Sequence, residues 1–162
     1  MKRFLRILAL LAVLSTALLL ASCDTPAESA AGTYKGEFTL EGQMGGGDTP
    51  GVRFEHDIRA ELVLDAEGTY TISTWHNSEF TNITYSENGS FTIEDGEITL
   101  VPDEAMFMVK GGDYEMRTLT AEEQASMTSK GTLDNDTVTV TMRLLYPYHS
   151  IASEMQLVRP AE

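Results

Sequence analysis

Val52-Arg53-Phe54-Glu55-His56-Asp57-Ile58-Arg59-Ala60-Glu61-Leu62-Val63-Leu64, followed by Asp65-Ala66-Glu67-Gly68 and Thr69-Tyr70-Thr71-Ile72, is the stretch whose reading decides the fold. Val52, Phe54, His56, Ile58, Ala60, Leu62 and Leu64 alternate with Arg53, Glu55, Asp57, Arg59 and Glu61. A period of two sends one set to each face of an extended chain, so this is a strand with one dry and one wet side. Asp65 to Gly68 fits a three-residue hairpin loop with Gly68 in the left-handed position. Pairing Asp65 with Thr69 then sets Leu64 opposite Tyr70, Leu62 opposite Ile72 and Ile58 opposite His76. A slip of one residue would turn every apolar side chain to water, so the register is fixed.

Outward from this hairpin the same signals repeat. Before it, Gly32 to Leu40 places Tyr34, Phe38 and Leu40 on one face, and the glycines of Gly42 to Gly51 predict a loop. After it, Phe80, Ile83 and Tyr85 predict a fourth strand with a bulge, and Glu87-Asn88-Gly89 a three-residue loop setting Tyr85 against Phe91. Asp95-Gly96 is a two-residue hairpin signal that sets Ile93 against Ile98 and Phe91 against Leu100. Met106 to Val109 and Tyr114 to Arg117 flank Gly111-Gly112-Asp113 as a further hairpin. Thr120-Ala121-Glu122-Glu123 has the spacing of a capping box and starts a helical turn. Strands follow at Thr128 to Leu133, Thr137 to Leu144 with a turn at Asp134-Asn135, and Ile151 to Val158. Short strands joined by hairpin turns, with almost no helix, predict an all-β, antiparallel up-and-down meander closing into a small barrel of about eight strands over residues 32–162.

The chain begins with a different pattern. Lys2, Arg3 and Arg6 precede the 14 uncharged residues Ile7 to Leu20, and Ala21-Ser22 precede Cys23, the one cysteine. A positive start, an apolar run short of the ~20 residues that span a bilayer, and small residues before a cysteine resemble a bacterial lipobox. Residues 1–22 are then a signal peptide and Cys23 a lipid-modified (palmitate-bearing) N-terminus. Residues 23–31, small and polar, form a flexible tether to the barrel. The expected location is the bacterial cell envelope, outside the cytoplasm and lipid-anchored to a membrane. Three of the 11 basic residues lie in the leader, so 8 basic residues face 25 acidic ones after cleavage, a net charge of −17. So acidic a surface disfavours nucleic acid and anionic head groups. With Cys23 acylated no internal disulfide forms, and the core alone holds the fold.

Gly32-Thr33-Tyr34-Lys35-Gly36, Leu62-Val63-Leu64 with Gly68-Thr69-Tyr70-Thr71-Ile72, and Gly89-Ser90-Phe91-Thr92-Ile93-Glu94-Asp95-Gly96-Glu97-Ile98-Thr99-Leu100 resemble lipocalin-like bacterial lipoproteins. The similarity is nearest to the barrel domain of the copper-resistance and envelope-stress lipoprotein family and covers about residues 32–101. It implies a lipocalin-like barrel. That family carries a Cys-x-x-Cys shortly after its first strand, whereas Gln43 to Gly51 has no cysteine, so copper or redox sensing by that device is not implied here.

Candidate binding residues follow from the inner face. His56 and His76 are diagonal neighbours, with Cα atoms roughly 7–8 Å apart. With Phe54, Ile58 and Tyr70 they form the expected ligand-binding set. Two histidines fall short of the ligands that zinc takes, so no metal is assigned. Met106, Met108 and Met116, with Met44, are soft donors of a kind that holds Cu(I), but filling the core is the reading adopted. Glu55 and Asp57 sit on the wet face as solvated charge. The sequence contains no nucleophile elbow, metalloprotease helix or zinc spacing, so no catalysis and no cofactor are expected. Two function classes remain: a barrel that binds a small apolar or amphipathic ligand, and a filled barrel that engages an envelope protein partner through its acidic surface or loops.

Overall fold

In the computed structural model the backbone is described for residues 25–44, 52–76, 84–108, 114–146 and 149–161, and the side chains for 25–39, 57–75, 85–107, 114–142 and 154–161. The elements in order are α1 (Pro26–Ala30), β1 (Gly32–Met44), β2 (Val52–Leu64), β3 (Thr69–His76), β4 (Thr84–Glu94), β5 (Glu97–Met108), β6 (Tyr114–Thr118), α2 (Ala121–Met127), β7 (Ser129–Asp134), β8 (Thr137–Tyr146) and β9 (His149–Val158). All strand pairs are antiparallel. Neighbours run β4-β3-β2-β1-β9-β8-β7-β5, and β5 pairs back onto β4, so eight strands close a barrel and the chain is all-β. β6 stands outside the ring, paired to the upper part of β5.

The β2–β3 hairpin has the expected register: Leu64 faces Tyr70, Leu62 faces Ile72 and Ile58 faces His76. Its loop is closed by Asp65 N–H donating to the Thr69 carbonyl at 2.8 Å. The β4–β5 turn places Asp95 and Gly96 at φ 51° and 82°, both in the left-handed region that matches strand twist, and Ile93 faces Ile98. Among the described residues the inner rows of β1 to β5, β8 and β9 are largely buried. Tyr34, Leu62, Leu64, Ile72, Ile98, Leu100, Val138, Val140, Met142, Met155 and Leu157 lose essentially all contact with water. Each such side chain contributes on the order of 1.5–3 kcal/mol of transfer free energy, which stands in for absent cross-links.

One end of the barrel is floored. The residues expected as a flexible tether instead form α1 from Pro26 on. Thr25 caps it, its hydroxyl accepting from Glu28 N–H at 3.2 Å while the Glu28 carboxylate accepts from Thr25 N–H at 2.7 Å. Proline at the first helical position is preset for the turn. Ala30 is buried, Ala27 packs on the lower core, and α1 also packs against β4, three strands around the wall from β1. Beside it, Arg159 Nη2 donates to the Ala30 carbonyl at 3.1 Å and to the Tyr34 hydroxyl at 2.5 Å, and Tyr34 donates to the same carbonyl at 2.8 Å. The β2–β3, β4–β5 and β7–β8 turns lie at this end. The paired strand ends Met44 and Val52, and Tyr146 and His149, lie at the other.

Two further stretches differ from expectation. β1 continues through Gly42 to Met44, paired with Phe54 to Val52, where a loop was expected from Gly42. Glu87-Asn88-Gly89 is not a loop but the middle of β4: Tyr85, Glu87, Gly89 and Phe91 all point inward. The irregularity lies opposite, where β5 gains a residue at Asp103 as Asn88 pairs Glu104 and Gly89 pairs Pro102. Gly89 is required there, because a Cβ would stand 2.1 Å from the Val101 carbonyl oxygen. Phe80 and Ile83 of the expected bulged strand lie outside the described residues.

Candidate functional site

The barrel wall is asymmetric because β5 changes partners along its length. Its first part, Glu97 to Leu100, pairs with β7, and its later part, Glu104 to Met108, pairs with β6. Between these two partners, at Asp103, the segment from Leu119 to Met127 lies beside β5. Leu119 N–H donates to the Asp103 carbonyl at 2.9 Å and Gln124 Nε2 to the Asp103 carboxylate at 3.0 Å. α2 has its capping box at Thr120 and Glu123, as the sequence predicts, and Arg117 pairs with Glu123 at 2.5 Å. That guanidinium, with the Thr120 amide and hydroxyl, holds the Glu123 carboxyl down to about 2. Leu119 and Met127 are buried and form an upper apolar cluster with Ile58, Tyr85 and Ala105, joined by Phe38 and Phe107.

Between this upper cluster and the larger lower one sits Glu87, 1% exposed. The hydroxyl of Tyr70, a member of the lower cluster, donates to Oε1 of Glu87 at 2.8 Å. The hydroxyl of Tyr85, in the upper cluster, donates to Oε2. One carboxyl group thus ties the two halves of the interior through a tyrosine on each side. Thr74, also buried, faces Tyr85 in the β3–β4 register and Ala60 in the β2–β3 register. Burial pushes the Glu87 carboxyl up from its ordinary value, and the two hydroxyl donors pull it partly back. Burial and the neighbouring carboxyl push both tyrosine hydroxyls up, so they remain protonated donors.

Among the described residues no cation meets this acid. Lys35 pairs with Glu61, Arg59 with Glu37, Arg117 with Glu123 and Arg159 with Asp136, all on the outer wall, on α2 or at the floor, and Lys130 is exposed. A surface depression of about 270 Å³, lined by Lys35, Gly36, Glu37, Arg59, Ala60 and Trp75, lies on the outer wall, and its two cations are already neutralised by Glu61 and Glu37.

The sequence matches no protein-family model and no curated protein.

Of the residues expected at the site, Ile58 and Tyr70 point into the barrel but belong to different clusters. Tyr70 serves Glu87, and Ile58 packs in the upper cluster. His76 pairs with Ile58 and His56 with Leu40 in the backbone register, which keeps the two histidines diagonal. The side chains of Phe54, His56 and His76 lie outside the described residues, as does Cys23. Met106 and Met116 face each other across β5 and β6, with Met116 41% exposed, so Met116 does not fill the core as expected. Among the described residues no helix is long and apolar enough to cross a membrane. Glu87 was missed because Glu-Asn-Gly reads as a turn. The usable signal is the alternation Tyr85, Glu87, Gly89, Phe91, which puts the acid in phase with its apolar neighbours.

Proposed function

We propose that the chain is a non-catalytic envelope lipoprotein, anchored through Cys23, whose barrel binds a small apolar or amphipathic molecule. The observation that carries this is the Glu87–Tyr70–Tyr85 layer inside a floored barrel whose other buried residues, among those described, are apolar except Thr74 and Ser129. A barrel serving only stability would gain by replacing a buried carboxyl with a well-packed aliphatic group. A polar layer amid apolar walls is instead the composition of a pocket for a molecule with one polar end. Membrane residence rests on the lipobox at Leu20 to Cys23.

The test is calorimetry and native mass spectrometry on the mature chain carrying Cys23→Ser, which keeps every residue of the barrel and its floor. An amphipathic probe binds with near one-to-one stoichiometry, and Ile58→Trp, which adds bulk to the upper cluster that holds Tyr85, weakens it. Absence of uptake by the folded protein overturns the proposal.

One observation favours a partner-binding protein instead. Among the described residues β6 pairs with β5 alone, and it carries Tyr114 and Met116 at 38% and 41% exposure, an apolar strip on an edge strand, which is a template for another chain. Loss of a pulled-down partner in Met116→Lys, with probe uptake absent, would decide for it.

A further inference from the structure

The interior of this barrel contains an acid whose counter-charge the described residues do not supply. Glu87 is reached by Tyr70 from β3 and Tyr85 from its own strand. Its partners in the ladders, Ile72 and Ala105, carry no charge, and neither do Phe107, Leu119 or Met127 in the cluster beside Tyr85. Among the described residues the other ionisable group near the layer is Asp103 on the β5 bulge, which acts on Tyr70 and is itself acidic, and the side chains of His56 and His76 lie outside the described residues. Every neighbour named is therefore neutral or negative. Two phenol donors, one per oxygen, fix the carboxyl plane and leave both oxygens with accepting capacity. A buried carboxylate of this kind is satisfied either by a proton or by a cation brought in from outside.

We propose that Glu87, oriented by Tyr70 and Tyr85, is the seat of a ligand ammonium group, and that the molecule this barrel takes is an amphipathic amine. The proposal rests on the ligand-binding function above and narrows its ligand class. The amine nitrogen occupies the level between the two clusters and donates to the carboxylate. Its apolar tail lies against the upper cluster of Ile58, Phe38 and Phe107. Met127, an unbranched thioether at the edge of that cluster, is the side chain suited to yield to it. In the free protein burial favours the neutral acid. The exchange then balances as R–NH₃⁺ plus Glu–COOH giving the ion pair and one proton released to water. Binding accordingly tightens as pH rises over the range in which Glu87 would otherwise hold its proton.

The experiment compares decylammonium, decanol and decanoate on the mature Cys23→Ser chain by titration calorimetry at high salt, where attraction to the acidic exterior is screened. The expected result is at least about tenfold tighter binding of decylammonium than of decanol, the order lost when one partner of a desolvated charge pair is removed, with decanoate weakest. In Glu87→Gln the amine and the alcohol bind alike. Glu87→Leu, which removes the buried charge and is expected to fold, gives the same levelling and keeps the result readable if the glutamine variant is poorly folded. Equal binding of amine and alcohol by the wild type, or an amine preference that survives both variants, overturns the proposal and leaves the binding barrel standing. Uptake of none of the three probes overturns both.

Discussion

Replacing Arg159 with alanine unfastens the barrel floor, and the expected cost can be worked out bond by bond. The guanidinium donates to the Ala30 carbonyl at 3.1 Å and to the Tyr34 hydroxyl at 2.5 Å, and its carbon lies 5.0 Å from the centroid of the Tyr34 ring. Hydrogen bonds to a charged donor are worth about 1.5–3 kcal/mol each when buried. The side chain is 32% exposed, which pulls both toward the low end. Asp136 at 3.7 Å is mostly exposed and adds little. Against these, Arg159 Nε is buried without a partner, a penalty of about 1 kcal/mol that the alanine variant escapes. The net loss is about 2–3 kcal/mol, or roughly 6–12 °C in Tm for a domain of this size. Urea unfolding followed by fluorescence of Trp75, the sole tryptophan, measures it. Arg159→Lys rescues little, since an ammonium lacks the planar fork that reaches two acceptors at once. Combined with Tyr34→Phe the losses do not add, because the two side chains share the Ala30 carbonyl. A loss below about 0.5 kcal/mol, or strict additivity, refutes the clamp.

Three further outcomes are expected. Because the folded Glu87 carboxyl is raised above its unfolded value, its favourable contribution is complete below the ordinary glutamic acid range and is lost as pH rises through the folded value. The stability of the wild type relative to Glu87→Gln therefore falls as pH rises above the ordinary glutamic acid range, and urea midpoints that stay parallel over that rise contradict this. Met127→Ala empties a buried position in the wall beside β5 and costs roughly 2–3 kcal/mol by thermal melts; a loss under about 1 kcal/mol would mean that α2 does not plug the wall. Cys23→Ser leaves the protein unprocessed or free of membranes on fractionation, and a variant that is cleaved at the same bond and resists a salt wash rules out the anchor.

The β2–β3 and β4–β5 hairpins were legible because local signals agree there: thirteen residues of clean alternation in β2, a loop with glycine where the backbone turns left-handed, and a two-residue Asp-Gly turn. The middle of β4 was not. Glu87-Asn88-Gly89 has turn composition, and what keeps it extended is tertiary: the close passage of Val101 at Gly89 and hydroxyls offered by Tyr70 and Tyr85. Thr25-Pro26-Ala27-Glu28 has the same capping spacing as Thr120 to Glu123, yet a five-residue helix lacks apolar periodicity, and its packing through Ala27 and Ala30 on the lower core is what a local pattern does not announce. Ile58 and Tyr70 were correctly placed on the inner face, but their assignment to separate clusters depends on a carboxyl two strands away from β2, which no pattern in β2 announces.

With Cys23 acylated as proposed, the cap at Thr25 also sets an orientation. Cys23 stands two positions before it, and two residues of fully extended chain reach about 7 Å. On the anchored assignment, the acylated residue therefore draws α1 and the floor down against the bilayer, and the opposite end of the barrel faces away from the lipid. A molecule leaving that membrane cannot slide directly into the far end. It must cross water first, or be handed over by a protein that stands further out than this one.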